Sequence, residues 1–213
     1  MSSQASRAAV AGSDQAGRVQ RHKLVDRIYH WVMAISVLTL MATAFLPIVG
    51  WKFEWLMIHW VTGLILTAAV LFHIIRALFF QKLMNMVPDG KNISSLGMET
   101  KTGKYNLAQK LYHLAVAVLI LCAIASGLVM LRKIDTPFWK RDPYWFTDHG
   151  WGIIYFAHDF AAMALITLVM IHIYFALRPD EWHLTRSMFR GWMTAKEYQD
   201  HFDPKRWNTS DEA

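Results

Sequence analysis

The sequence predicts an all-α integral membrane protein, a four-helix bundle with both termini in the cytoplasm. Two observations predict this fold: four long windows contain no Asp, Glu, Lys or Arg, and the basic residues are unevenly distributed between those windows. The chain has 213 residues, of which 54% are hydrophobic and 18% charged. The helices of a soluble bundle need a polar face. These windows show almost none, which disfavours a soluble helical bundle. The charge-free windows are residues 28–51, 55–75, 111–131 and 160–177.

Each window is long enough to cross a bilayer as a helix. The four windows hold 24, 21, 21 and 18 residues, and a hydrocarbon core of about 30 Å needs roughly 20 helical residues. The last window extends back to His149 when one charge, Asp159, is admitted. Pro47, near the end of the first span, is expected to kink or end it, because proline removes a helical hydrogen bond. The predicted spans are residues 26–49, 53–80, 107–131 and 149–176.

The basic residues predict the orientation of these spans. Segments 1–27, 76–110 and 178–213 hold five, six and six Lys or Arg residues, whereas the other two connections hold one and four. Cytoplasmic segments carry the excess of Lys and Arg. We therefore expect both termini in the cytoplasm and a multi-pass membrane protein. The aromatic connection over residues 137–151 is expected to contact lipid in the membrane interface.

Composition divides the chain into three regions. Residues 1–20 are rich in Ser, Ala and Gly and are expected to form a flexible arm. Residues 21–195 are expected to form the four-helix transmembrane domain, and residues 196–213 a cytoplasmic tail. In the connection between the second and third spans, Pro88, Asp89 and Gly90 predict a turn.

Six histidines lie in or at the ends of the predicted spans, where polar side chains are costly and therefore usually functional. They fall into two layers, one towards each membrane face. The histidines are His30, His59, His73, His113, His158 and His172.

The spacing of four of these histidines is informative. His59 and His73 are 14 residues apart, and so are His158 and His172. Fourteen helical steps fall only about 40° short of four turns and rise about 21 Å. The second and fourth spans therefore each present one imidazole per leaflet on one face. Two imidazoles from different helices are what bis-histidine ligation of haem iron requires.

Other functions are less consistent with these residues. Hydrogen bonding between helices is the alternative role for one intramembrane histidine, but it accounts poorly for two layers of them. The sequence shows no acidic pair, Gly-rich phosphate loop or nucleophilic triad, and Cys122 is the only cysteine. Because the basic residues flank apolar spans, no nucleic-acid partner is predicted. The layered histidines instead suggest an electron path across the bilayer.

Four segments of the sequence carry a family pattern. They are "VDRIYHW" (25–31), "IHWVTG" through Arg76 (58–76), "GKYNLAQK" (103–110), and "AHDFAAM" with "MIHIYFAL" in the fourth span. In this order they resemble the gamma subunit of respiratory formate dehydrogenase, within the wider hydrogenase and formate dehydrogenase family of dihaem cytochromes b. The resemblance covers about Arg21 to Ala195, and it implies a location in the bacterial inner membrane.

The resemblance implies two haem b groups and a set of axial ligands. By position in the family pattern, His59 and His158 correspond to the ligands of the outer haem. His30 and His172 correspond to the ligands of the inner haem. The spacing argument pairs His73 with His172 instead, so His73 stays as the alternative ligand.

The resemblance also implies a quinone site beside the inner haem, formed by Asn106, the backbone near Ala108, and Gln109. An amide side chain can donate a hydrogen bond to a quinone carbonyl. Alternatively, Asn106 caps the third helix, a position that favours Asn. Ala108 stands where the family usually has glycine, and His113 and His183 are additional to its pattern.

The resemblance implies a membrane cytochrome b subunit that transfers electrons between a periplasmic Fe–S oxidoreductase and menaquinone or ubiquinone. The implied partners are an Fe–S electron-transfer subunit and a catalytic oxidoreductase subunit of the formate dehydrogenase type. The chain itself shows no substrate-oxidising site. Three alternatives stay open: the cytochrome b of a hydrogenase or another molybdenum or tungsten oxidoreductase, a stand-alone cytochrome b-561-type quinol oxidase, and a haem-free anchor or small transporter.

Overall fold

The computed structural model describes residues 17–80 and 101–207, with only the backbone for Phe80. These residues form four long helices, two short helices, three single 3₁₀ turns and one two-stranded sheet. The predicted turn at residues 88–90, residues 1–16 of the predicted arm and residues 208–213 of the predicted tail lie outside the described residues.

The four long helices agree with the predicted spans to within a few residues. All four are long and apolar enough to cross a membrane. The prediction of an all-α, four-span membrane bundle is confirmed, while the orientation of its termini stays a prediction. The helices are α1 (Leu24–Phe45), α2 (Trp55–Phe80), α3 (Leu107–Met130) and α4 (Asp148–Leu177).

The connection from α1 to α2 begins close to Pro47, the proline that was expected to kink or end the first span. α1 ends at Phe45, two residues before Pro47. The backbone of the residue before a proline disfavours the helical conformation, so Leu46 lies outside the helix. Gly50 has a φ of 96°, a left-handed conformation that glycine adopts without steric cost. The chain then turns back, and the N–H of Trp51 donates to the carbonyl of Leu46 over 3.1 Å.

The described residues fall into two compact units. We call residues 29–80 and 112–171 the bundle unit, since it holds most of the length of the long helices. We call residues 17–28, 101–111 and 172–207 the sheet unit, since it holds the two strands.

The bundle unit has a small apolar core and a large apolar surface. Leu66 of α2, Ile120 of α3 and Leu165 of α4 are buried together in this core. Outward-facing side chains are apolar as well, such as Phe79 at 75% and Phe156 at 70% exposure. Exposed apolar area on this scale is unfavourable in water, and it suits helices whose outer faces contact lipid.

The sheet unit contains structure that the sequence did not predict. Strand β1 (Arg18–Gln20) pairs antiparallel with β2 (Trp192–Thr194), so that Val19 lies opposite Met193. The last residues of the predicted flexible arm are therefore part of a sheet. The short helices α5 (Trp182–Arg190) and α6 (Ala195–His201) flank β2. The buried residues of this unit are Val19, Met193, Phe202 and Trp207.

Gly191 joins α5 to the segment that follows β1. It ends α5 with a φ of 88°, and its carbonyl accepts from the N–H groups of Arg21 and His22 over 2.9 and 3.0 Å. The Arg21 guanidinium is buried and donates to the carbonyl of Lys104 over 2.9 Å. The sheet unit therefore ties three distant parts of the sequence together.

Candidate functional site

The imidazoles of His59 and His158 face one another inside the bundle unit. His59 lies in the second turn of α2 and His158 in the third turn of α4. Their ring centroids are 6.3 Å apart, and the ring planes are inclined by 68°. We call these two residues the histidine pair. The structure thus brings together the two ligands that the resemblance implies for the outer haem.

The ring of His59 is held by a threonine of the neighbouring helix. Thr43 Oγ1 in α1 lies 2.8 Å from His59 Nδ1. The same hydroxyl donates to backbone carbonyls of its own helix, those of Thr39 at 2.8 Å and Leu40 at 3.0 Å. With its proton directed at these carbonyls, the hydroxyl oxygen can accept a hydrogen bond from an Nδ1–H group of His59. In that tautomer Nε2 keeps its lone pair.

The ring of His158 is held in the same manner by α3. Ser126 Oγ lies 3.0 Å from His158 Nδ1 and donates to the carbonyls of Cys122 at 2.7 Å and Ala123 at 3.2 Å. Gly127, the next residue, leaves room for the imidazole to lie against α3. Ser126 Oγ can likewise accept a hydrogen bond from an Nδ1–H group of His158, and in that tautomer Nε2 keeps its lone pair.

The distance between the two rings of the histidine pair is compatible with ligation of a single metal ion. A metal–imidazole nitrogen bond is about 2 Å long and the ring centroid lies about 1.1 Å behind that nitrogen, so two imidazoles that share one metal ion have centroids at most about 6.2 Å apart. The observed separation is 6.3 Å. Within residues 17–80 and 101–207, no group of three or more His, Cys, Asp or Glu is arranged to hold a metal ion. Two imidazoles from different helices, without further protein ligands, would suit the iron of a porphyrin.

The other candidate ligands have different neighbours. The His73 ring stacks on Tyr29 with centroids 4.5 Å apart and planes within 10°, and it meets His113 edge-on at 6.3 Å. His30 contacts the adjacent Trp31 edge-on at 5.3 Å. His172 lies in the part of α4 that belongs to the sheet unit. Ligation of an inner haem by His30 or His73 with His172 stays a prediction.

Asn106 and Gln109 form a reciprocal cap at the start of α3. The Gln109 N–H donates to Asn106 Oδ1 over 2.8 Å, and the Asn106 N–H donates to Gln109 Oε1 over 3.0 Å. The capping role that the sequence left open is confirmed. Both bonds use side-chain oxygens, so neither uses an amide NH₂ donor. Ala108 is exposed between them in the first turn.

Comparison with known proteins identifies the family of this chain. Residues 21–191 match the profile of prokaryotic cytochrome b561. The chain belongs to the prokaryotic cytochrome b561 family. Membership implies haem b, the cofactor that the histidine pair fits. The match begins at Arg21, where the resemblance noted from the sequence also begins.

Two curated relatives of this cytochrome b561 are cytochrome b subunits of formate dehydrogenases. The chain is 28% identical to the cytochrome b556(fdo) subunit of formate dehydrogenase from Escherichia coli K12 over 208 residues, which covers 89% of this chain and 91% of the relative. It is 25% identical to the formate dehydrogenase cytochrome b556 subunit of Haemophilus influenzae, covering 89% and 82%. The family expected from the sequence is confirmed.

Sequence reasoning missed Thr43 and Ser126, the two hydroxyls of the site. Their only signal is a hydroxyl residue within an apolar span, a common feature of membrane helices. A single sequence does not show which neighbouring helix such a hydroxyl faces.

Proposed function

We propose that this chain is the membrane cytochrome b subunit of a formate dehydrogenase-type complex, and that it carries electrons between an Fe–S oxidoreductase and quinone. The histidine pair is the observation that carries the proposal, because both rings are held through Nδ1 with Nε2 available to a metal. The two relatives named as formate dehydrogenase cytochrome b subunits supply the type of complex.

The histidine pair would hold one haem b through the two Nε2 atoms. When bound, haem supplies a site that accepts and releases one electron. His59 and His158 would hold the iron from helices α2 and α4, and Thr43 and Ser126 would orient both rings through Nδ1. Residues from four helices would therefore hold one electron-transfer site. This support would limit movement of the two imidazoles when the haem iron changes oxidation state.

A second haem b is part of the proposal, held by His30 and His172 with His73 as the alternative ligand. The family pattern supports His30, and the 14-residue spacing supports His73. Two such sites, one per leaflet, would let electrons cross a bilayer that a single site does not span.

The proposal places quinone beside the first turn of α3. The amide NH₂ groups of Asn106 and Gln109 would donate to a quinone carbonyl, and exposed Ala108 leaves the backbone accessible. The six Lys and Arg residues of segment 76–110, which contains the start of α3, support a cytoplasmic position for this end. Protons for quinone reduction would then come from the cytoplasm of a bacterial cell, across its inner membrane.

Purification of the native complex through a tag on this chain tests the proposal. We expect Fe–S and catalytic subunits to co-purify, and formate to reduce the b-type absorption, which an added quinone then reoxidises. His59→Ala should break this electron transfer, whereas His149→Ala, an exposed residue of the same α4 helix as His158, should not. Reduction by hydrogen but not formate would identify a hydrogenase-type partner. Full quinol-dependent activity without other subunits would contradict a subunit role.

A further inference from the structure

The two imidazoles of the histidine pair are held by the same device, built twice. Thr43 of α1 serves His59 of α2, and Ser126 of α3 serves His158 of α4. In each case the hydroxyl also bonds to carbonyls three and four residues earlier in its own helix. The repetition between two independent pairs of helices indicates that the arrangement serves the histidines.

Both hydroxyls are buried, at 3% exposure for Thr43 and 8% for Ser126. A buried imidazole N–H without an acceptor would lose the full free energy of its hydrogen bond to water. Each hydroxyl therefore favours one rotamer and one tautomer of its histidine, with the proton on Nδ1. The second ring nitrogen of a metal-bound histidine commonly needs such a partner, which fixes the ring and increases its electron donation.

We propose that Thr43 and Ser126 are positioning residues that orient His59 and His158 towards one haem and lower its reduction potential; this inference rests on the proposed function. An acceptor at Nδ1 draws the N–H proton away from the ring and makes Nε2 a better electron donor. A better donor stabilises ferric iron more than ferrous iron, and hydrogen bonding around axial ligands is an established means of tuning haem. Loss of either acceptor therefore raises the potential.

The test compares Thr43→Val, Ser126→Ala and the double variant with the parent chain in its native complex. The readouts are haem content by pyridine haemochrome, the reduction potential by spectroelectrochemical titration, and the ferric EPR signal. We expect full haem content and an upward shift of one potential component in each single variant, with a larger shift in the double variant. The EPR signal should also change, because it depends on the angle between the imidazole planes, 68° here.

Two controls separate hydrogen bonding from simple packing. Thr43→Ser keeps the hydroxyl and removes only a methyl group, so its haem should have the same reduction potential as in the parent. Thr167→Val removes a hydroxyl that bonds to the carbonyl of Met163 from an exposed position on α4, and it should shift nothing. If the Thr43→Val variant loses haem and the Thr43→Ser variant keeps it, the positioning role is supported. If Thr43→Ser loses haem as well, the role is steric and the inference is wrong.

The inference and the proposed function can fail separately. If the parent binds haem through His59 and the hydroxyl variants keep an unchanged potential and EPR signal, only the inference is overturned. If the parent binds no haem, or if His59→Ala keeps every haem, the proposed function fails first.

Discussion

Gly127 lies directly against the imidazole of His158. A Cβ atom at position 127 would be 3.2 Å from His158 Cε1 and 3.6 Å from Nδ1. The first distance is shorter than ordinary van der Waals contact, so any side chain there would press on the ring. Ser126, the preceding residue, holds the same ring through its hydroxyl. One short stretch of α3 thus determines the position of one imidazole of the histidine pair.

The first prediction concerns Gly127. Gly127→Val should displace the His158 ring from Ser126 and from the line between the two imidazoles, since packed interiors do not absorb added methyl groups without displacement. We expect one haem to be lost or to become high-spin, measured by pyridine haemochrome and the ferric absorption spectrum. Gly152→Val is the matched control, because a Cβ at Gly152 has nothing within 4 Å. Equal haem content in both variants would contradict the prediction.

The second prediction separates two roles of Asn106. Asn106→Asp keeps an oxygen acceptor for the Gln109 N–H, and Asp is as good an N-cap as Asn, but it removes the amide donor. A hydrogen bond contributes about 1 kcal/mol net, so we expect quinone reduction to slow roughly fivefold with normal haem content and thermal stability. Asn106→Ala should show the same slowing and, in addition, a stability loss of about 1 kcal/mol.

Stopped-flow reoxidation of the reduced protein by quinone measures this difference. Unchanged kinetics in Asn106→Asp would remove the amide from the quinone site and leave Asn106 with the capping role alone.

The third prediction concerns the pH dependence of the sheet unit. The His183 ring is buried and stacks on His201 with centroids 4.1 Å apart. Burial, together with the neighbouring His201 imidazole, holds the pKa of His183 below its ordinary value of 6.5. Glu181 and the Asp180 carbonyl act in the opposite direction, whereas Arg21 acts in the same direction as burial.

In the pH range between the lowered pKa and 6.5, the unfolded state binds more protons than the folded state. The free energy of unfolding therefore increases with pH over this range. The stabilising contribution of His183 decreases as the pH falls below 6.5. Amide hydrogen exchange over α5 and α6 should be faster at about pH 5.5 than at about pH 7.5 after correction for chemical exchange rates. His183→Phe should reduce this difference, and an undiminished difference would assign it to other groups.

The fourth prediction concerns orientation. Tyr144 is 91% exposed in the connection between α3 and α4, and Lys196 is exposed in α6. In a Cys122→Ser background, a membrane-impermeant maleimide applied to spheroplasts should label Tyr144→Cys at once and Lys196→Cys only after lysis. The reverse pattern would place the termini outside and overturn the orientation expected from the Lys and Arg distribution.

The four spans could be predicted because the cost of placing charge in lipid acts on each residue separately. Windows without charge therefore show where the chain crosses, and α1 ends close to Pro47, which the sequence predicted to kink or end the span. The strand pair of the sheet unit could not be predicted in this way. Its strands have three residues each, too short for an alternating pattern, and they meet across more than 170 positions of sequence.

The candidate site was predictable only in part for a related reason. Helical spacing shows which face of its own helix a histidine occupies, but not which helix lies opposite. It correctly placed His59 and His158 in the same layer, and the resemblance paired them. It did not predict that His73 stacks on Tyr29, or that Thr43 and Ser126 face the histidine pair. These contacts depend on helix rotation and packing, which one sequence does not encode locally.

Haem quantitation on purified histidine variants tests the central claim most directly. We expect two b haems in the parent, one in His59→Ala, one in His158→Ala and still one in the double variant, because both residues hold the same iron. His149→Ala should keep both haems. Loss of different haems in the two single variants, seen as no remaining haem in the double variant, would contradict ligation of one haem by the histidine pair.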